Sequence, residues 1–448
     1  MQITVHRGAK EVGGTCVELT SGDSRIVVDI GMPLFGDDRK ALNTYELQKA
    51  STQELREQGI LPNVEGLFEP GAPIDGILIS HAHMDHTGLL DRSRKEIPVY
   101  ASSGTSKMML AGKLFARQVG IDAKRHKTLR PEQPVAIGNF QVTAFSVDHS
   151  IFGCLAFLIE ADGKSILYTG DLRMHGRKPG MTRTLLEAVS GRNIDMLLME
   201  GTHFGLPDGQ TVTEYQLEDQ ITDIVNEASG LVLASFSPQH VDRLVALIRA
   251  AKKTGRTFVV DAYTAYVLHL LHREIPVPVA DPAEGLRMYF PRYFNDRSNH
   301  PGRRPLDERY SDARIELEEI LASPSRFLMV FRATMLKPDF NDQLPPDTTC
   351  LYSRWTGYLG NDDWKATRLA LESSGGHLRE VHTSGHMLST DIPKFVEAVA
   401  ARCIVPVHTF EPDTFANHFD NVLSVTDGQP FEVAVPTWPR NVLHQKQT

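Results

Sequence analysis

Residues 77–90 read ILISHAHMDHTGLL: an apolar run, then three histidines and an aspartate inside six positions. A short apolar stretch of this kind reads as a buried strand. A solvated loop has no need of so many imidazoles. At the end of a buried strand, each nitrogen left without a partner costs about 1–3 kcal/mol. Something positively charged among them removes the difficulty. The spacing HxHxDH offers His81, His83, Asp85 and His86 as ligand-capable groups. Neutral imidazoles and carboxylates suit Zn²⁺ or Mn²⁺, and four groups can serve two adjacent ions if others join. The competing reading is a capped loop of satisfied polar residues.

Further candidates follow strand-like runs in the same way. His149 closes "TAFSVDHS", Asp171 follows "SILYT" in "TGDLR", and His408 follows "CIVPV". A lone histidine after a strand is usually structural. Three such ends joined to HxHxDH form a constellation for a dinuclear centre, with Asp171 as the natural bridging carboxylate. Two ions about 3.5–4 Å apart can share a hydroxide and brace attacking and leaving oxygens. The same centre would serve a thioester hydrolase, so metals alone do not select a phosphodiester.

The chain of 448 residues carries 47 Lys+Arg against 56 Asp+Glu, a formal charge of −9. That length suggests two or three domains with material for a core. The N-terminal "MQITVHRGAKEVGG" has no signal-peptide apolar region, and no run approaches a membrane span of about 20 residues. Cys16, Cys154, Cys350 and Cys403 are scattered without CxxC spacing, which points to a reducing, cytoplasmic setting. The acidic balance argues against general coating of nucleic acid but leaves room for a local basic groove.

Residues 2–31 alternate short strands punctuated by Gly13-Gly14 and Gly22-Asp23, whereas residues 40–70 are polar and helix-prone. From Thr211 helices and strands alternate, as in a parallel βαβ sheet. The first texture returns near Glu380. The simplest account is one α/β domain interrupted by another, with boundaries at 1–208, 209–375 and 376–448.

With these residues in place the chain resembles the metallo-β-lactamase superfamily and, within it, the β-CASP ribonucleases of RNase J type. Asp29 in "VVDIG" matches the first superfamily motif, a structural aspartate near the site. HAHMDH matches the second, His149 the third and Asp171 the fourth. Glu200 in "LLMEGTH", His386 in "TSGHMLSTD" and His408 in "VPVHTF" match the three β-CASP motifs. The resemblance implies an αββα sandwich with an inserted β-CASP α/β domain. It implies two divalent ions, zinc first and manganese second. His81, His83 and His149 would hold one, Asp85, His86 and His408 the other, with Asp171 bridging. A histidine at the last motif is typical of members acting on RNA. The implied activity is hydrolysis of single-stranded RNA by a metal-activated hydroxide, leaving 5′-phosphates, with no membrane partner and homodimerisation left open. Alternatives are a nuclease acting on DNA, a small-molecule (thio)ester hydrolase and a non-catalytic RNA-binding subunit.

Asp85, Glu200 and His386 are the candidate catalytic residues. A carboxylate beside an imidazole favours its charged form, so Glu200 would keep His386 loaded to protonate the departing ribose oxygen. Ser384, Gly385 and Ser389 are candidate phosphate contacts near a helix start, and Ser235 is a looser one. Arg292, Arg297, Arg303 and Arg304, with "KRHKTLR" at 124–130, are candidates for a phosphate-binding lip. Tyr289, Phe290, Trp355 and Tyr358 are candidates for base stacking, with core packing as the competing role. Three departures from RNase J stand out. Thr409-Phe410 replaces the usual Gly-Glu, about forty residues follow His408 where a further domain is expected, and no KH domain precedes the core. The segment 40–70 is expected to remodel the entrance.

Overall fold

The computed structural model describes residues 1–433 apart from 37, 208–211, 296 and 298. The expected boundary between 208 and 209 lies outside the described residues. Among the described residues, three sheets organise the chain. The first has seven strands in the order Pro430–Glu432, Gln2–Arg7, Cys16–Ser21, Ser24–Val28, Gly76–Leu78, Val99–Ala101 and His126–Thr128. The second has six, in the order Ile404–Val407, Met196–Glu200, Lys164–Tyr168, Leu155–Ala161, Phe140–Ser146 and Pro134–Ile137.

Alternation explains why these two sheets stack. In Gln2–Arg7, Ile3 and Val5 are buried while their neighbours are partly exposed. Inward residues of both sheets form one cluster, with Ile3, Val17, Val28 and Leu78 facing Phe140, Phe157, Ile166, Leu198 and Val405. Helices cover the outer faces. Ser103–Ala116 contributes Met108 and Met109 over Ile77 and Val99, and Pro179–Val189 contributes Leu185 over Leu167 and Leu197. The result is the expected αββα sandwich.

The third sheet is wholly parallel, in the order Leu286–Tyr289, Thr257–Asp261, Phe327–Val330, Val232–Phe236, Thr349–Ser353 and His377–Glu380. Its central strands read as continuous apolar runs because helices cover both faces. Here one expectation changes. Residues 377–380 pair with Thr349–Ser353, so the third sheet runs past the expected end at 375. His377, Arg379 and Glu380 are exposed, and an exposed polar edge carries no burial pattern to assign it to either sheet. No helix among the described residues is long and apolar enough to cross a membrane.

Phe157 sits wholly buried in the sandwich, its ring stacked 6.4 Å from that of Tyr168. Phe157→Ala is expected to cost about 3–5 kcal/mol, read as a shift in the urea unfolding midpoint.

Candidate metal centre

The site lies where strands of both sheets end on one edge. His81 and His83 follow Gly76–Leu78, and His83 stands immediately before the single-turn helix Met84–Thr87, which carries Asp85 and His86. From the second sheet come His149 after Phe140–Ser146, Asp171 after Lys164–Tyr168, Glu200 as the last residue of Met196–Glu200, and His408 after Ile404–Val407. The seven sequence-predicted ligands all arrive here.

Three imidazole nitrogens converge first: His81 Nε2 and His149 Nε2 each stand 3.1 Å from His83 Nδ1. A second group joins Asp85, His86, Asp171 and His408, with His408 Nε2 3.2 Å from Asp85 Oδ2. Asp171 stands between the two groups. Its Oδ2 is 3.6 Å from His81 Nε2, 3.9 Å from His149 Nε2 and 3.3 Å from His86 Nε2, and its Oδ1 is 3.6 Å from His408 Nδ1.

Three observations test whether these residues fit metal ions. Both oxygens of Asp171 and Nε2 of His86 are buried with no hydrogen-bond partner among the described residues. Burial in a protein interior normally forbids such orphans. Next, burial, reinforced by neighbouring rings, holds His81 and His149 well below the usual imidazole range, and burial brings His83 down to about 4. These are neutral imidazoles, the form that ligates. Burial alone would lift Asp171, but His408 and His86 outweigh it and keep the carboxylate ionised. The donor set therefore fits divalent cations.

A surrounding frame orients these groups. Asp29 Oδ2 accepts from His86 Nδ1 at 2.8 Å, from Ser80 Oγ at 2.7 Å and from Tyr168 Oη at 2.7 Å, while Oδ1 accepts from the Ser80 amide at 2.8 Å. With Nδ1 so engaged, Nε2 of His86 is the nitrogen presented to Asp171. His149 Nδ1 donates to the Gly385 carbonyl at 2.5 Å, which leaves Nε2 for the cluster. Asp29 and His408 both hold left-handed backbone, φ 58° and 52°. The Asp29 amide is fixed by Leu78 O at 2.8 Å and the His408 amide by Gly8 O at 2.7 Å. At Gly31 a Cβ would lie 1.7 Å from the Asp85 carbonyl oxygen, so only glycine lets this strand end approach the ligand helix.

Glu200 and His386 stand at the rim. His386 Nδ1 is 3.2 Å from Glu200 Oε2 and 3.2 Å from Thr202 Oγ1, and 3.7 Å from Asp171 Oδ2. Burial opposes a charge on His386, but Glu200 and Asp171 outweigh it and raise the imidazole to about 9. Its side chain retains 22 % exposure, so one face is open.

The other candidates sort differently. Ser384 Oγ accepts from the His386 amide at 3.0 Å, Gly385 packs on His149, and Ser389 Oγ accepts from the Gly205 amide at 3.2 Å. These residues shape the loop that holds His386. Ser235 is 1 % exposed inside the third sheet, paired in register with Tyr352. Arg303 and Arg304 pair one turn on with Asp307 and Glu308, and Arg125 binds the Ile97 carbonyl and Ser93 Oγ. Tyr289 and Phe290 are core residues, whereas Trp355 and Tyr358 are exposed and meet edge to face at 5.3 Å. Sequence reasoning missed Thr202, Tyr168, Ser80 and Arg173. Ser80, Arg173 and Thr202 each lie within two residues of a candidate site residue, but that spacing alone does not separate them from their neighbours.

The segment 40–70 packs beside the helix that carries Asp85 and His86. Asn43 and Ser51 cap the helices Thr44–Lys49 and Thr52–Glu57. Gln48 Nε2 contacts Met84 Sδ at 2.9 Å, and Tyr45 Oη accepts from Arg117 Nη1 at 2.7 Å.

Residues 50–210 match the family model described as a beta-lactamase superfamily domain. Ribonuclease J of Mycolicibacterium smegmatis is 25% identical over 274 residues, 57% of this chain and 43% of that protein. An RNase J-like protein of Methanocaldococcus jannaschii is 23% identical over 58% of this chain and 57% of its own. The transcription termination factor FttA of Methanothermobacter thermautotrophicus is 23% identical over 68% of this chain and 47% of its own. The chain thus spans about half the length of these curated relatives. A crystal structure of a protein of unknown function from Enterococcus faecalis V583 superposes with a TM-score of 0.77 at 22% identity, covering 96% of this chain and 99% of that one. Residues 50–210 are thus similar to a beta-lactamase superfamily domain, and the chain is similar over more than half of its length to proteins named ribonuclease J and FttA.

Asp29→Asn removes the acceptor that orients His86. It is expected to weaken divalent-metal affinity by about 10–100-fold, measured by competition with a chromophoric chelator.

Proposed function

We propose that this chain is a metal-dependent phosphodiesterase that cuts single-stranded RNA and leaves a 5′-phosphate. The observation that carries the reading is the Glu200–His386 pair, set 3.7 Å from the carboxylate that joins the two ligand groups. A thioester hydrolase needs the metals but has no use for a buried carboxylate–imidazole pair at their rim. Family resemblance to ribonucleases supports RNA as the polymer.

His81, His83 and His149 would hold one divalent ion, and Asp85, His86 and His408 a second, with Asp171 shared. Zinc suits this set first and manganese second. When bound, the ions supply an activated water and Lewis-acid polarisation of the phosphoryl group.

The remaining work falls to the chain. Hydrolysis puts the elements of water across the P–O3′ bond, so the departing ribose oxygen needs a proton. His386 has Nδ1 occupied by Glu200 and Thr202, which leaves Nε2–H to donate. Glu200 cannot rotate away, because Oε1 accepts from the amides of Leu172 at 3.4 Å and Met387 at 3.3 Å, and Oε2 from that of Thr202 at 3.2 Å. Four free, buried cysteines agree with a cytoplasmic setting.

Single-turnover cleavage of a short RNA labelled at either end, with 5′-monophosphate, 5′-triphosphate or 5′-hydroxyl, tests the reading beside matched DNA. With Zn²⁺ or Mn²⁺ present, RNA cleavage is expected, and His386→Ala should slow it about 10²–10⁴-fold. Chelation should abolish it. Absence of cleavage by metal-loaded wild-type protein would remove the proposal, and preference for DNA would redirect it.

A further inference from the structure

Arg173 is fully buried two residues after Asp171. Its guanidinium is shared among elements distant in sequence. Nε donates to Asp148 Oδ1 at 3.2 Å, Nη1 to Glu214 Oε1 at 2.7 Å and to the Ser384 carbonyl at 3.1 Å, and Nη2 to Asp242 Oδ2 at 2.7 Å. Each partner leads somewhere. Asp148 precedes the ligand His149. Glu214 and Asp242 open the helices Glu214–Glu227 and Val241–Lys253, which belong to the inserted sheet's layer. Ser384 begins the turn that contains Gly385, whose carbonyl orients His149, and His386, whose amide rests on Ser384 Oγ.

The inserted helices grip this turn a second time. Arg243, also fully buried, donates Nη1 to the Val381 carbonyl at 2.8 Å and Nη2 to Glu214 Oε1 at 3.2 Å. His175 Nε2 adds a second donor to the Ser384 carbonyl at 2.9 Å. Segment 381–386 is therefore held by the inserted helices on one side and by the metal-site strand ends on the other, with Arg173 touching both.

Stability does not require this arrangement. Buried ion-pair clusters can often be replaced by apolar groups of similar volume without loss. What a planar guanidinium adds is direction, since its fork fixes several acceptors in one plane. We infer that Arg173 is a positioning residue for the reaction: by clamping the Ser384 carbonyl to Glu214 and Asp242, it sets where His386 stands relative to the reacting phosphate. This rests on the phosphodiesterase reading above. A lysine would keep the charge but would supply one point where the site uses a fork.

The test compares full-length Arg173→Lys, and the milder Asp242→Asn, with the wild type on two substrates. One is RNA, whose ribose oxygen leaves with a proton. The other is bis(p-nitrophenyl) phosphate, whose nitrophenolate leaves without one. Arg173→Lys is expected to lower kcat on RNA about 10–100-fold with KM unchanged and to lower hydrolysis of the nitrophenyl ester much less, with rates expressed per bound metal because the same turn supports His149. Asp242→Asn should give a smaller loss of the same kind. Amide hydrogen exchange, read without substrate, should quicken in residues 381–391 and stay unchanged in the sandwich strands. Equal loss on both substrates, unchanged RNA cleavage, or unchanged exchange at 381–391 would overturn the inference. If the wild type hydrolyses neither substrate, the phosphodiesterase reading fails on its own, and the exchange result still decides whether Arg173 holds the turn.

Discussion

Asp171 places both carboxylate oxygens in the protein interior, among five imidazoles and without a hydrogen-bond donor among the described residues. A buried charge left in that condition costs several kcal/mol. The surrounding structure meets the constraint by bringing strand ends of two different sheets to one edge. The αββα sandwich achieves this because parallel strands of both sheets finish on the same side, so residues just past them meet across the interface. The arrangement is one that divalent cations would complete.

Holding such a cluster in register takes more than its own members. Asp29 follows a strand of the first sheet, and Tyr168 ends a strand of the second, yet both belong to one hydrogen-bonded group with Ser80 and His86. That group ties the sheets together directly behind the ligands. On the opposite side Gly385 and the 384–386 turn support His149. An imidazole with one nitrogen occupied has its tautomer and ring plane set before any ion arrives, which lowers the reorganisation that binding demands.

Much of this was legible in the sequence, for a physical reason. Histidines and carboxylates placed just past short buried strands stand out against the apolar runs before them, so HAHMDH, His149, Asp171 and His408 carried their own signal, and the structure brings them together. The Glu200–His386 pair was read through family resemblance and not from spacing, since nothing local joins two residues that lie 186 positions apart. Arg173 left no trace, because an arginine after a strand reads as solvent-facing until its carboxylate partners are seen. Ser235 misled for the converse reason: a small polar residue near a strand end suggests a ligand contact, but here it is packed inside the sheet. The strand His377–Glu380 was placed in the returning part of the first domain because an exposed polar edge carries no periodic burial to tie it to the inserted sheet.

The left-handed backbone at His408 carries a further consequence. For a residue with a Cβ this conformation costs about 1–2 kcal/mol, and glycine would occupy it freely. The chain accepts a poorer local fit at the position where an imidazole must face Asp85. Asp29 accepts the same compromise behind His86. At 29 the four buried hydrogen bonds to the carboxylate offset that strain, so a library sorted only for resistance to heat would drift towards glycine at 408 first and lose the imidazole there. Anyone engineering the scaffold for robustness has to keep that position out of the selection.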